Sequence, residues 1–334
     1  MPCGNYVSRE ADAAGAVSRP FNQGETMAPS NQDLRIGIYG TGLFQDHYPD
    51  PTPSYQEQLT AIANGGYTTV VLWALHVHST GDFYYNDNLM VQNGVISTSS
   101  DPNAKRLNPD FVALVKQLAT TGSVREILLS IGPFQSDFQA IVDNLDVAQR
   151  NFAALFAAMP ITAVDFDYEP TDGPFDVDMI VDLTTMLDGL GVGTTYCPYT
   201  DQGSWSQCLT GVYSKAGRQL VRWFNLQCYD GGYGNDPTQW ASAIAQAGET
   251  GIADPASFVL PGYWVAHTGD KTLYNTCPAQ LRSILSGFAP KGVTGAWVWN
   301  SGDIFTNEGV ASLCGGAAKT PGDYAQAMIA GLGG

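Results

Sequence analysis

Ile161-Thr162-Ala163-Val164-Asp165-Phe166-Asp167-Tyr168-Glu169-Pro170 reads as a buried strand whose far end carries three carboxylates at alternate positions. Successive strand side chains point to opposite faces, so Asp165, Asp167 and Glu169 share one face while Val164, Phe166 and Tyr168 share the other. The Ala-Met-Pro-Ile run just before it and the aromatic residues within it indicate a strand that is covered on its other side. Three carboxylates within a strand's width repel one another, and a low-dielectric setting keeps at least one of them protonated near neutral pH. That is the state in which a carboxylic acid can donate a proton. A calcium loop of the EF-hand kind needs Gly at its sixth position and Glu at its twelfth; counted from Asp165 these are Pro170 and Asp176, so that reading fails. A magnesium-binding carboxylate cluster stays open as the alternative.

Working outward, apolar runs alternate with amphipathic stretches. Strands are predicted over Leu34–Tyr39, Thr68–Leu75, Glu126–Ile131, the acidic stretch itself, Gly193–Tyr199, Arg222–Tyr229, Phe258–Tyr263 and Gly295–Trp299. Between and after them helices are predicted around Tyr55–Asn64, Asn108–Thr120, Phe138–Asn144 with Val147–Ala158, Asp176–Leu190, Gln207–Ala216, Thr238–Glu249, Pro278–Phe288 and Pro321–Leu332. Thr276 is a capping candidate for Pro278–Phe288, and Thr320 precedes a helix with proline at its first position. Phe83-Tyr84-Tyr85 and Leu89-Met90-Val91 flank an Asn-Asp-Asn turn, which predicts a hairpin-like insertion after the second strand. Eight β-then-α units in the α/β class describe a single (β/α)8 TIM barrel rather than an open doubly wound sheet. Gly40-Thr41-Gly42 lacks the third glycine of a dinucleotide-binding turn. Residues 1–32 have no periodicity and read as an extended arm; residues 33–334 are the expected barrel domain. In such barrels the chemistry gathers at the carboxyl ends of the strands, where Glu169, Tyr199, Tyr229 and Trp299 emerge.

Fifteen basic against thirty-two acidic residues in 334 give a net charge of −17, which disfavours phosphate backbones and anionic lipid as partners but not a neutral sugar. No apolar run spans a bilayer. Cys3, Cys197, Cys208, Cys228, Cys277 and Cys314 show no zinc spacing, and neither a metal nor a cofactor is expected. Cys277 with Cys314 is a plausible disulfide; buried free thiols fit the same count. Residues 1–32 lack a basic start followed by an apolar core, so no signal peptide is recognised; secretion is nevertheless the expected location, and a monomer the expected state.

Together these residues resemble the family 18 glycoside hydrolases, the chitinase-like barrels whose fourth strand carries D-G-x-D-x-D-x-E. Asp165, Asp167 and Glu169 match the last three acids, while Thr162 and Ala163 stand at the first Asp and the Gly. Ser130-Ile131-Gly132-Pro133 is similar to the family's S-x-G-G, with Pro133 at its second glycine. Gln227-Cys228-Tyr229-Asp230 is similar to its Q-x-Y-N or M-x-Y-D, and Trp299 sits at the strand-eight tryptophan. The resemblance implies retaining, substrate-assisted hydrolysis of a β-1,4 bond after N-acetylglucosamine, without a protein nucleophile. It implies Glu169 as acid then base, Asp167 as holder of the 2-acetamido group, Asp165 as its tuner, Tyr229 as donor to the acetamido oxygen and Trp299 as the floor under the sugar. Gln227, Tyr199, Ser130, Gly132, Asp230 and Trp264 are the further substrate-binding candidates. Chitin or chitooligosaccharide is the expected substrate. An endo-β-N-acetylglucosaminidase acting on N-glycans would use the same acids, and the family also holds lectin-like barrels, generally marked by a missing acid; Glu169 is present.

His76-Val77-His78, with His47 and His267, invites a metal-hydrolase reading, but strands four to six offer acids, Gln and Tyr rather than further ligands, so sugar hydrogen bonding or loop structure is the better expectation. Phe83, Tyr84, Tyr85, Trp205, Tyr233 and Trp264 fall in or near loops above the barrel, where they either stack on sugar or pack in place. Trp223 and Trp240 are expected in the core, and Asp201 beside Tyr199 is a further candidate. There is no G-x-S-x-G and no P-loop.

Overall fold

A computed structural model describes residues 34–171, 173–307, 313–316 and 319–334. The chain forms strands β1 (Arg35–Thr41), β2 (Thr69–Val77), β3 (Phe83–Tyr85), β4 (Asn88–Gln92), β5 (Val95–Ile96), β6 (Glu126–Ile131), β7 (Ala163–Phe166), β8 (Gly193–Tyr196), β9 (Val221–Gln227), β10 (Val259–Trp264) and β11 (Gly295–Trp299). Eight of them run parallel in the order β1-β11-β10-β9-β8-β7-β6-β2, and β2 pairs back onto β1, so the sheet closes. Closure leaves the inner face packed on itself and the outer face under helices, which is why these strands read as continuous apolar runs. The helices are α1 (Tyr55–Ala63), α2 (Phe111–Leu118), α3 (Gln135–Asp143), α4 (Leu145–Ala158), α5 (Val177–Gly189), α6 (Gln202–Ala216), α7 (Pro237–Gln246), α8 (Pro255–Phe258), α9 (Pro278–Phe288), α10 (Ser301–Asn307) and α11 (Pro321–Gly331). The fold is therefore a (β/α)8 barrel, and the insertion after β2 is the expected hairpin, with β3 antiparallel to β2 and β4 antiparallel to β3. The arm expected over residues 1–32, with Cys3, lies outside the described residues.

The two faces of β7 separate as the alternation requires. Val164 and Phe166, with Tyr168 just beyond the strand, are buried outward, Phe166 against Phe138 at 5.4 Å between ring centroids and Tyr196 at 5.7 Å. Side chains of this size contribute roughly 1.5–3 kcal/mol each when fully buried. Ala163 faces inward, sharing an interior cluster with Tyr39, Val71, Leu128, Trp223 and Trp297. Trp297 fills the axis because β10 carries Gly262 beside it: a Cβ there would meet the indole at 1.9 Å. Below it Arg35 and Arg222 lie over the Trp223 ring at 4.9 and 4.8 Å, and Arg222 also pairs with Glu126 at 2.5 Å.

Several boundaries move. β7 ends at Phe166, four residues short of the predicted Pro170, and β8 ends at Tyr196 rather than Tyr199. The cap of α9 is Cys277, not Thr276; Gln280 Oε1 accepts from the Cys277 N–H at 2.9 Å. Thr320 caps α11 and Asp176 caps α5 through their side-chain oxygens.

Cys277 and Cys314 are bridged, with Cα atoms 5.6 Å apart, which resolves the pairing the sequence left open. Cys197, Cys208 and Cys228 are buried free thiols. The bridge joins residues 37 apart in sequence, and in the chain-entropy view a loop of that length is restrained by up to about 4 kcal/mol. Cys314→Ser is expected to lower the unfolding free energy in urea by a few kcal/mol of that; a loss below about 1 kcal/mol would mean that the reduced chain holds this loop by its other contacts.

Candidate functional site

The three acids occupy three depths along the barrel axis. Asp165 is deepest, within β7 and fully buried. Four side chains on four different strands converge on it: Tyr39 and Ser130 donate to Oδ2 at 2.8 and 2.9 Å, and Thr195 and Asn225 donate to Oδ1 at 2.6 and 2.9 Å. Burial pushes its carboxyl up, and these donors oppose the shift. The set is a polar plug at the base of the pocket in which both oxygens are satisfied.

Asp167 and Glu169 lie beyond the paired end of β7, yet the alternation persists. Their backbone N–H groups donate to Ile131 O and Pro133 O, each at 3.0 Å, so the chain stays extended beside the end of β6 although its pairing with β8 has ended. Asp167 accepts from Trp73 Nε1 at 3.0 Å and from Gln227 Nε2 at 3.1 Å. The same Gln227 nitrogen donates to Glu169 Oε1 at 2.9 Å. One amide thus ties the two upper carboxylates together. Both carboxyls are raised above their ordinary range. Burial is the largest cause for each; the neighbouring Glu169 charge adds to the shift of Asp167, while the Gln227 hydrogen bond partly offsets that of Glu169.

Around them is a pocket of about 390 Å³ lined by Trp73, Pro133, Cys197, Tyr199, Tyr229, Asp230, Gly231, Trp264 and Trp299 as well as the two acids and Gln227. Trp299 stands edge-on to Trp73 at 4.9 Å and near-parallel to Tyr229 at 6.4 Å. The Tyr229 hydroxyl has no hydrogen-bond partner among the described residues and faces the pocket as a neutral donor, because burial pushes its pKa far up. Trp264 donates to Asp303 Oδ2 at 2.7 Å, which fixes its ring. Asp230 is ion-paired with Lys271 across the rim.

Two of the expected substrate contacts lie off the pocket lining. Ser130 is fully buried under the pocket and spends its hydroxyl on Asp165, and Gly132 does not line the pocket either. Gly132 is a backbone requirement: its φ is +130°, and a Cβ there would lie 2.0 Å from Asp167 O. Gly132→Ala is therefore expected to displace the Asp167 backbone and lower Tm; an unchanged Tm would show that β6 and the Asp167 segment can part without cost. Asp201 caps α6 through its side chain and is not among the residues lining this pocket. Trp205, Trp223 and Trp240 are buried, as are Phe83 and Tyr85, whereas Tyr233 is exposed.

Tyr39, Trp73, Thr195, Cys197 and Asn225 were not singled out from the sequence. Four sit on the inner face of their strands and Cys197 lies one residue past the end of β8, and inward alternation from the acids' level was the one signal that could have found them. The histidines do not converge: both His267 nitrogens lie near backbone carbonyls, at 3.0 and 3.1 Å, His78 stacks on Tyr84 at 3.7 Å, and His76 pairs with Asp137. Among the described residues no three His, Cys, Asp or Glu side chains gather as a metal-holding set.

No protein-family model matches the chain, and no curated protein matches it. Solved structures do. A GH18 chitinase from Pseudoalteromonas aurantia is 15% identical with a TM-score of 0.59, covering 89% of this chain and 100% of its own. The catalytic domain of a hyperthermophilic chitinase from Pyrococcus furiosus is 11% identical with a TM-score of 0.54, covering 90% and 95%. YKL-39, solved in the presence of chitooligosaccharides, is 10% identical with a TM-score of 0.55, covering 90% and 100%. At such identities the likeness is one of fold: this chain shares the (β/α)8 barrel of these structures.

Proposed function

We propose that the protein is a glycoside hydrolase that cleaves the β-1,4 bond after N-acetylglucosamine in chitin or chitooligosaccharides, with retention and with the substrate's own acetamido group as nucleophile. The observation that carries this reading is the shared Gln227 amide between Asp167 and Glu169, two carboxyls on one wall. The remaining acid of the pocket, Asp230, is engaged by Lys271. Among the described residues lining the pocket no second carboxylate stands opposite this pair, and a substrate that brings its own nucleophile needs none.

Glu169, lifted by burial, holds its proton for the glycosidic oxygen as the bond to the leaving sugar breaks. The acetamido carbonyl oxygen forms the new bond to the anomeric carbon. Asp167 accepts from the acetamido N–H and balances the positive charge of the oxazolinium-like ring, and Tyr229 donates to the carbonyl oxygen and aligns it. Asp165, saturated by four donors, holds a fixed negative environment beneath Asp167. Glu169, now a carboxylate, then takes a proton from the water that opens the intermediate. Trp299 offers an apolar face to the distorted sugar, flanked by Trp73 and Tyr229. Such a substrate lies outside cells, and a bridged Cys277–Cys314 pair suits that compartment.

The test is hydrolysis of a fluorogenic chitooligosaccharide and a high-mannose N-glycoprotein, side by side, by wild type and Glu169→Gln. Release from the chitooligosaccharide by wild type alone supports the proposal. Cleavage of the glycoprotein alone moves the substrate to N-glycans with the same acids. Sugar binding without cleavage of either overturns the hydrolase reading in favour of a lectin-like barrel.

A further inference from the structure

Among the helices is a groove of about 420 Å³ that shares no lining residue with the acid-bearing pocket. Three helices build it. Val142 comes from the last turn of α3, Leu145 from the start of α4, and Met179, Leu183 and Met186 from α5. The three α5 positions are spaced by four and three residues, so their side chains stand in one row. Met179 and Leu183 are buried, whereas Val142 and Leu145 are 43% and 42% exposed, which leaves apolar surface open to water beside them. Acids surround this surface. Asp176, Asp178 and Asp182 line the same groove and are exposed, and among the described residues no lysine, arginine or histidine lines it. Asp176 spends one oxygen on the Met179 N–H, and Asp182 pairs with Lys215 at 2.5 Å. Asp178 has no hydrogen bond or ion pair among the described residues. Asp143 and Asp146, exposed beside Val142 and Leu145 in the chain, extend the same sign of charge.

The geometry points to this groove as the docking site of a basic amphipathic helix from a separate protein. Its apolar side chains, at helical spacing, lie along Met179, Leu183 and Met186, and its Lys or Arg side chains meet Asp178 and the neighbouring acids. An apolar row inside an acidic rim is complementary to an apolar stripe flanked by cations. The two methionines suit the role, since an unbranched thioether adapts to the side chain it meets. Charge disfavours the nearer occupants. A second copy of this chain brings a net charge of −17, and residues 1–33 carry Glu10, Asp12, Glu25 and Asp33 against Arg9 and Arg19. Either would add negative charge to a negative rim. The inference stands apart from the hydrolase reading, because no residue of the groove is assigned a part in the reaction.

The experiment is fluorescence anisotropy of a labelled helix-forming peptide of leucines and lysines, its leucines in one stripe at helical spacing, titrated with the full chain. Two control peptides accompany it: the same residues permuted so that no stripe forms, and the stripe with glutamate in place of lysine. The striped leucine–lysine peptide is expected to bind at least about tenfold more tightly than either control. Val142→Ser combined with Leu145→Ser is expected to weaken it about tenfold with Tm held, since these half-exposed side chains add more to docking than to folding. Asp178→Lys is expected to weaken it about fivefold, by a factor that shrinks as salt is added. Glu169→Gln should bind the peptide as wild type does; a loss there would place the peptide in the acid pocket instead. Equal binding of the striped and permuted peptides would reduce the attraction to net charge and overturn the docking site. So would an absence of binding to wild type, or an unchanged affinity in the paired serine variant. A fall in sedimenting mass on the paired serine substitution would give the groove to a second copy. A Tm lowered by several degrees in that variant, with no peptide bound by wild type, would give it to residues 1–33. Either result overturns a separate partner.

Discussion

Glu169→Gln is expected to lower kcat by about a thousandfold or more while sugar binding stays within a few-fold of wild type. General acid–base catalysis by one positioned group is worth about 10²–10⁴ in rate, and Glu169 is assigned both the acid and the base step. A thousandfold corresponds to about 4 kcal/mol of transition-state stabilisation. The substituted amide keeps an oxygen able to accept from Gln227 Nε2, now at 2.9 Å, so the pocket keeps its shape and loses only the transferable proton. The pH profile supplies a second signature. Burial lifts the Glu169 carboxyl above its ordinary value of about 4.3, so the wild-type rate should hold above that pH and fall as the proton is lost. Steady-state kcat on a fluorogenic chitooligosaccharide, with calorimetric binding alongside, measures both. Turnover by the variant within tenfold of wild type would remove Glu169 from the reaction.

The fold was legible because closure of the barrel writes itself into the chain as eight two-sided apolar strands. The acidic stretch was legible because alternation holds even where strand pairing stops: Asp167 and Glu169 keep their backbone bonds to Ile131 and Pro133 past the end of β7. Depth was not legible. Ser130 and Gly132 flank the same strand end as the pocket, yet one hydroxyl is consumed by Asp165 and the glycine makes room for Asp167 O. Whether an inward residue plugs the barrel or touches ligand depends on its height relative to strands far away in sequence, and that register comes only from pairing. Tyr39 reaches Asp165 across 126 residues and Trp73 reaches Asp167 across 94, and neither stretch carries a local sign of this. Both read simply as apolar strand residues. The His76–Asp137 pair escaped for a similar reason, since the partner lies on a helix whose start was predicted three residues late, at Phe138 rather than Gln135.

Asp167→Asn is expected to slow the proposed hydrolysis and stabilise the protein at the same time. The new side chain keeps an acceptor for Trp73 Nε1, now at 3.0 Å, but loses the negative charge assigned to balance the oxazolinium-like intermediate. Its amide also forces Gln227 to choose between bonding it and bonding Glu169, and a loss of about a hundredfold or more in kcat should follow. Stability runs the other way. The Asp167 carboxyl is raised well above its ordinary value by burial first and by Glu169 second. A carboxyl raised in the folded state prefers its proton there. Its stabilising contribution is therefore full below the unfolded value of about 3.9 and is lost as pH rises through the folded value. Asparagine does not titrate, so the variant escapes that loss. Its Tm should exceed that of wild type at pH 8, by roughly 2 °C for each kcal/mol relieved, and the gap should close as pH falls toward about 4. Calorimetric Tm across that range, set beside kcat, separates two causes. A slower and more stable variant with a pH-dependent gap identifies a charge held against folding for the sake of chemistry. A variant less stable at every pH would instead make Asp167 part of what holds β2, β7 and β9 together, through Trp73 and Gln227, and its loss of rate would then report a damaged barrel.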